Sequence, residues 1–148
     1  MAGKISKVQK EALELVRRRL RESNATVLLG FDVESIHDGR AILRLDVKAR
    51  HKQLHGVVHG GILTALADTA AAVAAYTVIP RGTEIATLEL KINFLESVAG
   101  GRVLADAKVL RKGRNFIVTE CDILNANSSL VAKALLTFSA VIGQTLEN

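Results

Sequence analysis

Asp68 is the only charged residue between Gly60 and Pro80, in a run (GILTALADTAAAVAAYTVIP after Gly60) made otherwise of Ala, Gly, Leu, Ile, Val, Thr, Tyr and Pro. An ionised carboxylate in such surroundings is costly unless it is paired, hydrated or used in chemistry. Just upstream, His59-Gly60-Gly61 closes a glycine-containing loop and opens the same apolar run. If that run is a helix, its first backbone N–H groups have no partner inside it and can serve an anion or a developing oxyanion. A lone acid and a set of free amides thus share one element. Eight helical residues rise about 12 Å, too far for one small reacting group to touch both ends. Two copies with their helices antiparallel and side by side would bring Gly60 of one to Asp68 of the other, forming two equivalent sites about a two-fold axis. Two plainer readings stay open at this point: Asp68 as a structural hydrogen-bond acceptor, and the glycines as a tight turn into the helix.

The rest of the chain has to hold those residues. Ile5, Val8, Ala12, Leu15, Val16 and Leu20 recur at helical spacing, predicting an amphipathic first helix that fades at Ser23-Asn24. From Val27 to Val47 the pattern changes to period two, with Ala41, Leu43, Leu45 and Val47 on one face and Asp38-Gly39 as a hairpin turn. Residues 49–58 lose that period and read as a loop into the apolar helix, which Pro80 and Gly82 should end. Four further strands are expected near 84–95, 101–112, 114–125 and 129–141. In the last of them Leu130, Ala132, Ala134, Leu136, Phe138 and Ala140 share a face. This order predicts an α+β fold, a mostly antiparallel sheet wrapped around one apolar helix. We read 1–148 as a single domain, with an N-terminal helix in 1–24 and a core over 27–141.

Composition narrows the classes. With 148 residues, 49% of them hydrophobic and 24% charged, the chain suits one soluble globular domain. A formal charge of +5 favours an anionic partner without naming it. Nucleic acid is disfavoured by only four Phe and one Tyr, no recognised binding motif and no long basic tract. A membrane span is disfavoured by the Ala, Gly and Thr content of the long apolar run and by Asp68 near its middle. Lys4, Lys7, Lys10, Glu11 and Glu14 interrupt any secretory h-region, and the single Cys121 suits a reducing cytosol. Cys121 reads as a buried structural thiol. His51, His55 and His59 are spaced by four but span a loop with no acidic or cysteine ligand close by, so no metal is expected.

The string HKQLHGVVHGGILTALADTAAA (residues 51–72), with TLELKINFL at Thr87 to Leu95, resembles the hot-dog-fold acyl-CoA thioesterases. The phenylacetic acid degradation type is nearest, with the 4-hydroxybenzoyl-CoA thioesterases related to it. The resemblance runs from about residue 27 to 141 and implies that Gly60 N–H polarises the thioester carbonyl. It also implies that Asp68 of the partner subunit is general base or nucleophile, with Gln53 and Thr87 in support. His59 would shape the helix start beside Gly61, and His55 would line the entrance. Arg111-Lys112-Gly113-Arg114 at a hairpin tip would meet the phosphates of coenzyme A, with Arg50 and Arg102 as weaker candidates. A homodimer is then required, with dimers pairing into tetramers. Coenzyme A belongs to the substrate and no separate cofactor is implied. Many relatives of the phenylacetate type have Asn where this chain has Gln53, whereas Gln occurs in the hydroxybenzoyl type, so the acyl group is left open.

Two other classes use the same fold. A hot-dog hydratase or dehydratase would resemble its class in carrying a His shortly after the acid, yet Val73 stands five residues on and every His precedes Asp68. A non-catalytic acyl-CoA binding module would keep the pocket and the basic hairpin without depending on Asp68.

Overall fold

A computed structural model describes residues 7–80 and 82–142. Helix α1 (Lys7–Glu22) is followed by a short α2 (Asn24–Leu29), strands β1 (Phe31–His37) and β2 (Arg40–Asp46), and a 3-10 turn (Ala49–His51). Then come the long helix α3 (Gly60–Tyr76) and strands β3 (Thr83–Phe94), β4 (Arg102–Lys112), β5 (Phe116–Leu124) and β6 (Leu130–Ile142). The strands form one sheet in the order β1-β2-β4-β5-β6-β3, and every neighbouring pair is antiparallel. This is the expected sheet around an apolar helix, and it leaves β1 and β3 as the two edges.

Three expectations are corrected. Residues 27–29, expected to open the first strand, instead end the helix α2. The Ser23 side chain accepts from Thr26 N–H at the start of α2, and Gly30 ends it at φ 75°. That positive φ suits glycine because a Cβ would clash there. Among the described side chains of α1, Leu13 and Leu20 are buried, with Val16 packed beside them, whereas Leu15 is exposed. Ile5 and the side chain of Val8 lie outside what the structure describes. Helix α3 ends at Tyr76, well before Pro80. The Thr77 hydroxyl donates to Ala74 O (2.7 Å) and accepts from Gly39 N–H (2.7 Å), pinning the helix end to the β1–β2 turn.

The core lies between α3 and the inner face of the sheet. Leu66, Ala67, Ala70, Ala71, Ala74 and Ala75 of α3 are fully buried against Leu43, Leu45, Val103, Ile117, Ile123, Leu136 and Phe138. Alanines let the helix approach the sheet closely, and each large sheet residue there would cost about 2–5 kcal/mol if cut to Ala. One side of α3 is not covered. Gly61, Ala65, Asp68, Ala72 and Tyr76, which recur at helical spacing, are exposed or half-buried. An apolar helix with an open stripe has further surface to bury. Cys121 is fully buried, and burial, with Asp122 and Asp106 nearby, pushes its thiol up to about 12. No helix among the described residues is long and apolar enough to cross a membrane.

Candidate active site

His59 is the N-cap of α3, and its Nδ1 accepts from the Gly61 N–H at 2.8 Å. Its carbonyl takes the Ile62 and Leu63 N–H groups, while its own N–H donates to His51 O (2.9 Å). The Gly60 N–H is left without a partner among the described residues. That amide sits at the positive end of a 17-residue helix, where developing negative charge is favoured.

The two glycines have separate steric reasons. A Cβ on Gly61 would lie 3.0 Å from His59 Nδ1, so the capping imidazole needs this position bare. A Cβ on Gly60 would lie 3.1 Å from Phe94 Cζ. The ring of Phe94, at the end of β3, therefore occupies the Cβ side of Gly60, although it is half exposed. Sequence reasoning passed over Phe94.

Asp68 lies two turns further along α3, on the open stripe. Thr87 of β3 donates its hydroxyl to Asp68 Oδ1 at 2.8 Å, and among the described residues this is the carboxylate's one hydrogen bond. A single donor orients an acid without neutralising it. The reach of Thr87 depends on a β-bulge. Thr87 pairs with Phe138 and Glu89 with Thr137, so Leu88 is an extra residue. Before it, Ile85 and Thr87 face the helix; after it, Leu90, Ile92 and Phe94 do, opposite the buried Leu136, Ala134 and Ala132. Without the bulge, two residues seven apart on a strand would point to opposite faces. The extra residue thus lets β3 send Thr87 to Asp68 and Phe94 to Gly60.

Within one chain no hydrogen bond joins Asp68 to Gly60 or Gln53. Gln53 is half-buried in a small loop, where its Oε1 accepts from His55 N–H (2.8 Å) and its own N–H donates to Val57 O (2.8 Å). His55 is exposed in that loop. His51 is buried; its Nδ1 accepts from Lys48 N–H (2.9 Å) and its Nε2 donates to Leu29 O (2.8 Å). Both ring nitrogens are therefore committed to backbone. Burial, with Arg50 and Lys48 nearby, holds the His51 pKa below its ordinary value despite the bond to Leu29.

At the β4–β5 hairpin, Arg111, Lys112 and Arg114 are exposed and take part in no ion pair among the described residues. Gly113 N–H donates to Phe116 O (2.8 Å), and a Cβ on Gly113 would lie 3.0 Å from that oxygen. Lys112, Ile117, Phe138 and Thr87 form one row across the sheet. At about 4.8 Å per strand, the hairpin stands about 14 Å from Thr87. Arg102 is tied to Asp46 (2.9 Å). A cleft of about 500 Å³ is lined by Asp46, Val47, Gly101, Arg102, Leu104, Asn125, Ala126 and Ser128, and shares no residue with the Asp68–Thr87 pair.

Comparison with known proteins places the chain in a family. Residues 55–132 match the profile of the thioesterase superfamily. A Saccharolobus solfataricus protein, provisionally named an esterase, is 38% identical over 107 residues, covering 72% of this chain and 76% of that one. The acyl-coenzyme A thioesterase PaaI of Escherichia coli is 33% identical over 105 residues, covering 70% and 73%. The crystal structure of a Haemophilus influenzae thioesterase superposes with a TM-score of 0.85 at 28% identity, covering 92% of this chain and 94% of that one. A capped helix start, a hydroxyl-oriented acid on the same helix and a sheet wrapped around both thus sit in a chain that belongs to the thioesterase superfamily and is a hydrolase of thioester bonds in the hot-dog fold.

Proposed function

We propose that this protein hydrolyses acyl-CoA thioesters to a free acid and coenzyme A at a site built by two copies of the chain. The observation that carries this reading is the separation of two prepared groups on one helix: an unpartnered Gly60 amide, and Asp68 held by Thr87 on the open stripe. Antiparallel packing of two α3 stripes, rich in Gly and Ala, brings Gly60 of one copy to Asp68 of the other. The bare β3 edges then continue the sheet from one copy into the next.

In that site the Gly60 N–H holds the carbonyl oxygen and the charge that grows on it during attack. Asp68 of the partner takes a proton from water as the water oxygen bonds to the carbonyl carbon. The C–S bond then breaks, and the thiolate of coenzyme A receives that proton. On the other route Asp68 itself attacks, expels the thiolate and leaves an anhydride that water cleaves. Thr87 holds the carboxylate in both. The Gln53 amide orients water or thioester, His59 and Gly61 fix the helix start, and His55 borders the entrance. Arg111, Lys112 and Arg114, presented by the Gly113 turn, take the phosphates. The name of the E. coli relative supports coenzyme A as the carrier. This chemistry uses an amide and a carboxylate and needs no metal or redox cofactor. We further place the chain as one domain, in the cytosol, with dimers pairing into tetramers.

Subunit complementation tests the shared site. Gly60→Pro removes the amide proton at the first helical position, where proline's fixed φ fits although its ring must displace Phe94, and Asp68→Asn removes the base. Each variant alone should release thiol from acyl-CoA at about a thousandth of the parental rate or less. Refolded together, they should recover about a quarter of parental activity, since half the dimers are mixed and each mixed dimer has one intact site. No recovery in mixed dimers confirmed by mass would refute a site shared between copies. No thiol release by the parent from any acyl-CoA would favour the binding-module alternative.

A further inference from the structure

We propose that Phe94 is a specificity-determining residue that reads the acyl group beside its carbonyl, favouring flat or unbranched acyl groups over those branched at the α-carbon. The inference rests on the function proposed above. Its geometric basis is the contact between Phe94 and Gly60. The position a Gly60 Cβ would take is 3.1, 3.4 and 3.5 Å from Cζ, Cε1 and Cε2 of Phe94, so the end of the ring lies against the glycine.

In a helix the Cα–Cβ bond tilts toward the N-terminus, the direction in which the first N–H groups also point. A ring on the Cβ side of Gly60 therefore stands beside whatever that N–H binds. If the bound atom is a thioester oxygen, the acyl α-carbon is only two bonds away and comes within contact range of the ring. The distal end of a long acyl chain does not.

Phe94 is also 51% exposed, although it faces the inner side of the sheet. A large apolar ring with half its surface free, on the helix-facing side of the strand and beside an unpartnered amide, offers a flat wall. Planar acyl groups can stack on it, and an α-methyl group would press into it. The Leu88 bulge gives independent support. It puts Phe94 on the same face as Thr87, so one strand serves both the acid and the amide.

The test uses benzoyl-CoA, butyryl-CoA and isobutyryl-CoA with the parent, Phe94→Ala and Phe94→Leu, each checked for unfolding temperature and dimer mass. The parent should prefer butyryl and benzoyl over isobutyryl. In Phe94→Ala the isobutyryl-to-butyryl ratio of kcat/KM should rise about tenfold, and the benzoyl-to-butyryl ratio should fall several-fold. Phe94→Leu, which keeps apolar bulk against Gly60, should lower the benzoyl ratio only, and it carries the test if the alanine variant fails to fold. Ratios unchanged within twofold in a folded variant, with all three rates moving together, would overturn the role of Phe94 and leave the thioesterase reading intact. A parent silent on all three thioesters would sink both.

Discussion

The two edges of the sheet are finished in opposite ways. Along β1, the Val33 N–H is taken by the Asp32 carboxylate (2.8 Å) and the Val33 carbonyl by Arg17 of α1 (3.4 Å). Arg44 then ties Asp32 (2.9 Å) to Glu34 (3.1 Å) across that face. Along β3, twelve residues long, no side chain caps the outward backbone between Leu88 and Phe94 among the described residues, and Leu88 and Phe94 are half exposed. Capped edges resist further pairing and bare ones invite it. Every group assigned to the chemistry of the carbonyl lies on β3, on α3 or in the loop before α3, and none lies on β1. The edge left unfinished is the one beside the reaction.

That contrast predicts a division of effects: turnover should depend on the β3 side and stability on the β1 side. The largest effect is expected from Asp68→Asn, which should lower kcat by about 10³-fold, the scale of losing a positioned proton acceptor. Its unfolding temperature should stay near the parent's, because the residue is only half-buried. Thiol release and thermal denaturation on one preparation decide it, and activity within tenfold of the parent would break the comparison. Replacing Arg111, Lys112 and Arg114 together by Gln should raise KM for an acyl-CoA about tenfold and leave an acyl-N-acetylcysteamine, which lacks the phosphates, unaffected. Added salt should shrink the difference.

On the β1 side, His51 clasps the end of α2 to Lys48, and its pKa lies below the ordinary 6.5, chiefly because it is buried. The unfolded chain then binds the proton more readily, so stability should fall as pH drops below about 6.5, by at most about 1.4 kcal/mol per pH unit from this group. Above that pH His51 should contribute no slope. Urea unfolding of the parent and His51→Gln between pH 5 and 7.5 measures this, and equal slopes would refute it. The smallest effect is expected from Arg17→Ala, whose ion pairs are partly solvated: a loss of about 1 kcal/mol or less, with unchanged kcat/KM. A fall in turnover there would blur the division between the edges.

Much of this was legible in the chain. Period-two runs match the strands to within two residues over most of their length, because the inner face is buried on the strands other than β3, whose inward residues after Thr83 are half-buried or exposed. His59-Gly60-Gly61 and Asp68 stood out because glycines and a single charge are conspicuous in an apolar run. Residues 27–29 differ because the β-branched Val27 suits a strand, while the Ser23 cap carries the helix through them. On α1, Leu13 was passed over for Leu15, two residues apart on nearly opposite sides of a helix. Phe94 is hard to see in TLELKINFL because the strand changes parity part-way along. Its signal was present: Ile85 and Thr87 are odd positions, whereas Leu90, Ile92 and Phe94 are even, and such a switch inside one strand implies an extra residue.

The doubled position at Leu88 sets a rule for anyone grafting this segment or trimming it. Deleting Leu88 would leave the threonine and the phenylalanine six positions apart, so a strictly alternating strand would still turn both toward the helix, whereas straightening the strand with every residue kept would swing the phenylalanine away from the glycine. A chimaera borrowing a relative's strand must therefore match the spacing of the two residues to the bulge, odd with it and even without it. Otherwise catalysis and choice of acyl group, now held by one ribbon, would come apart.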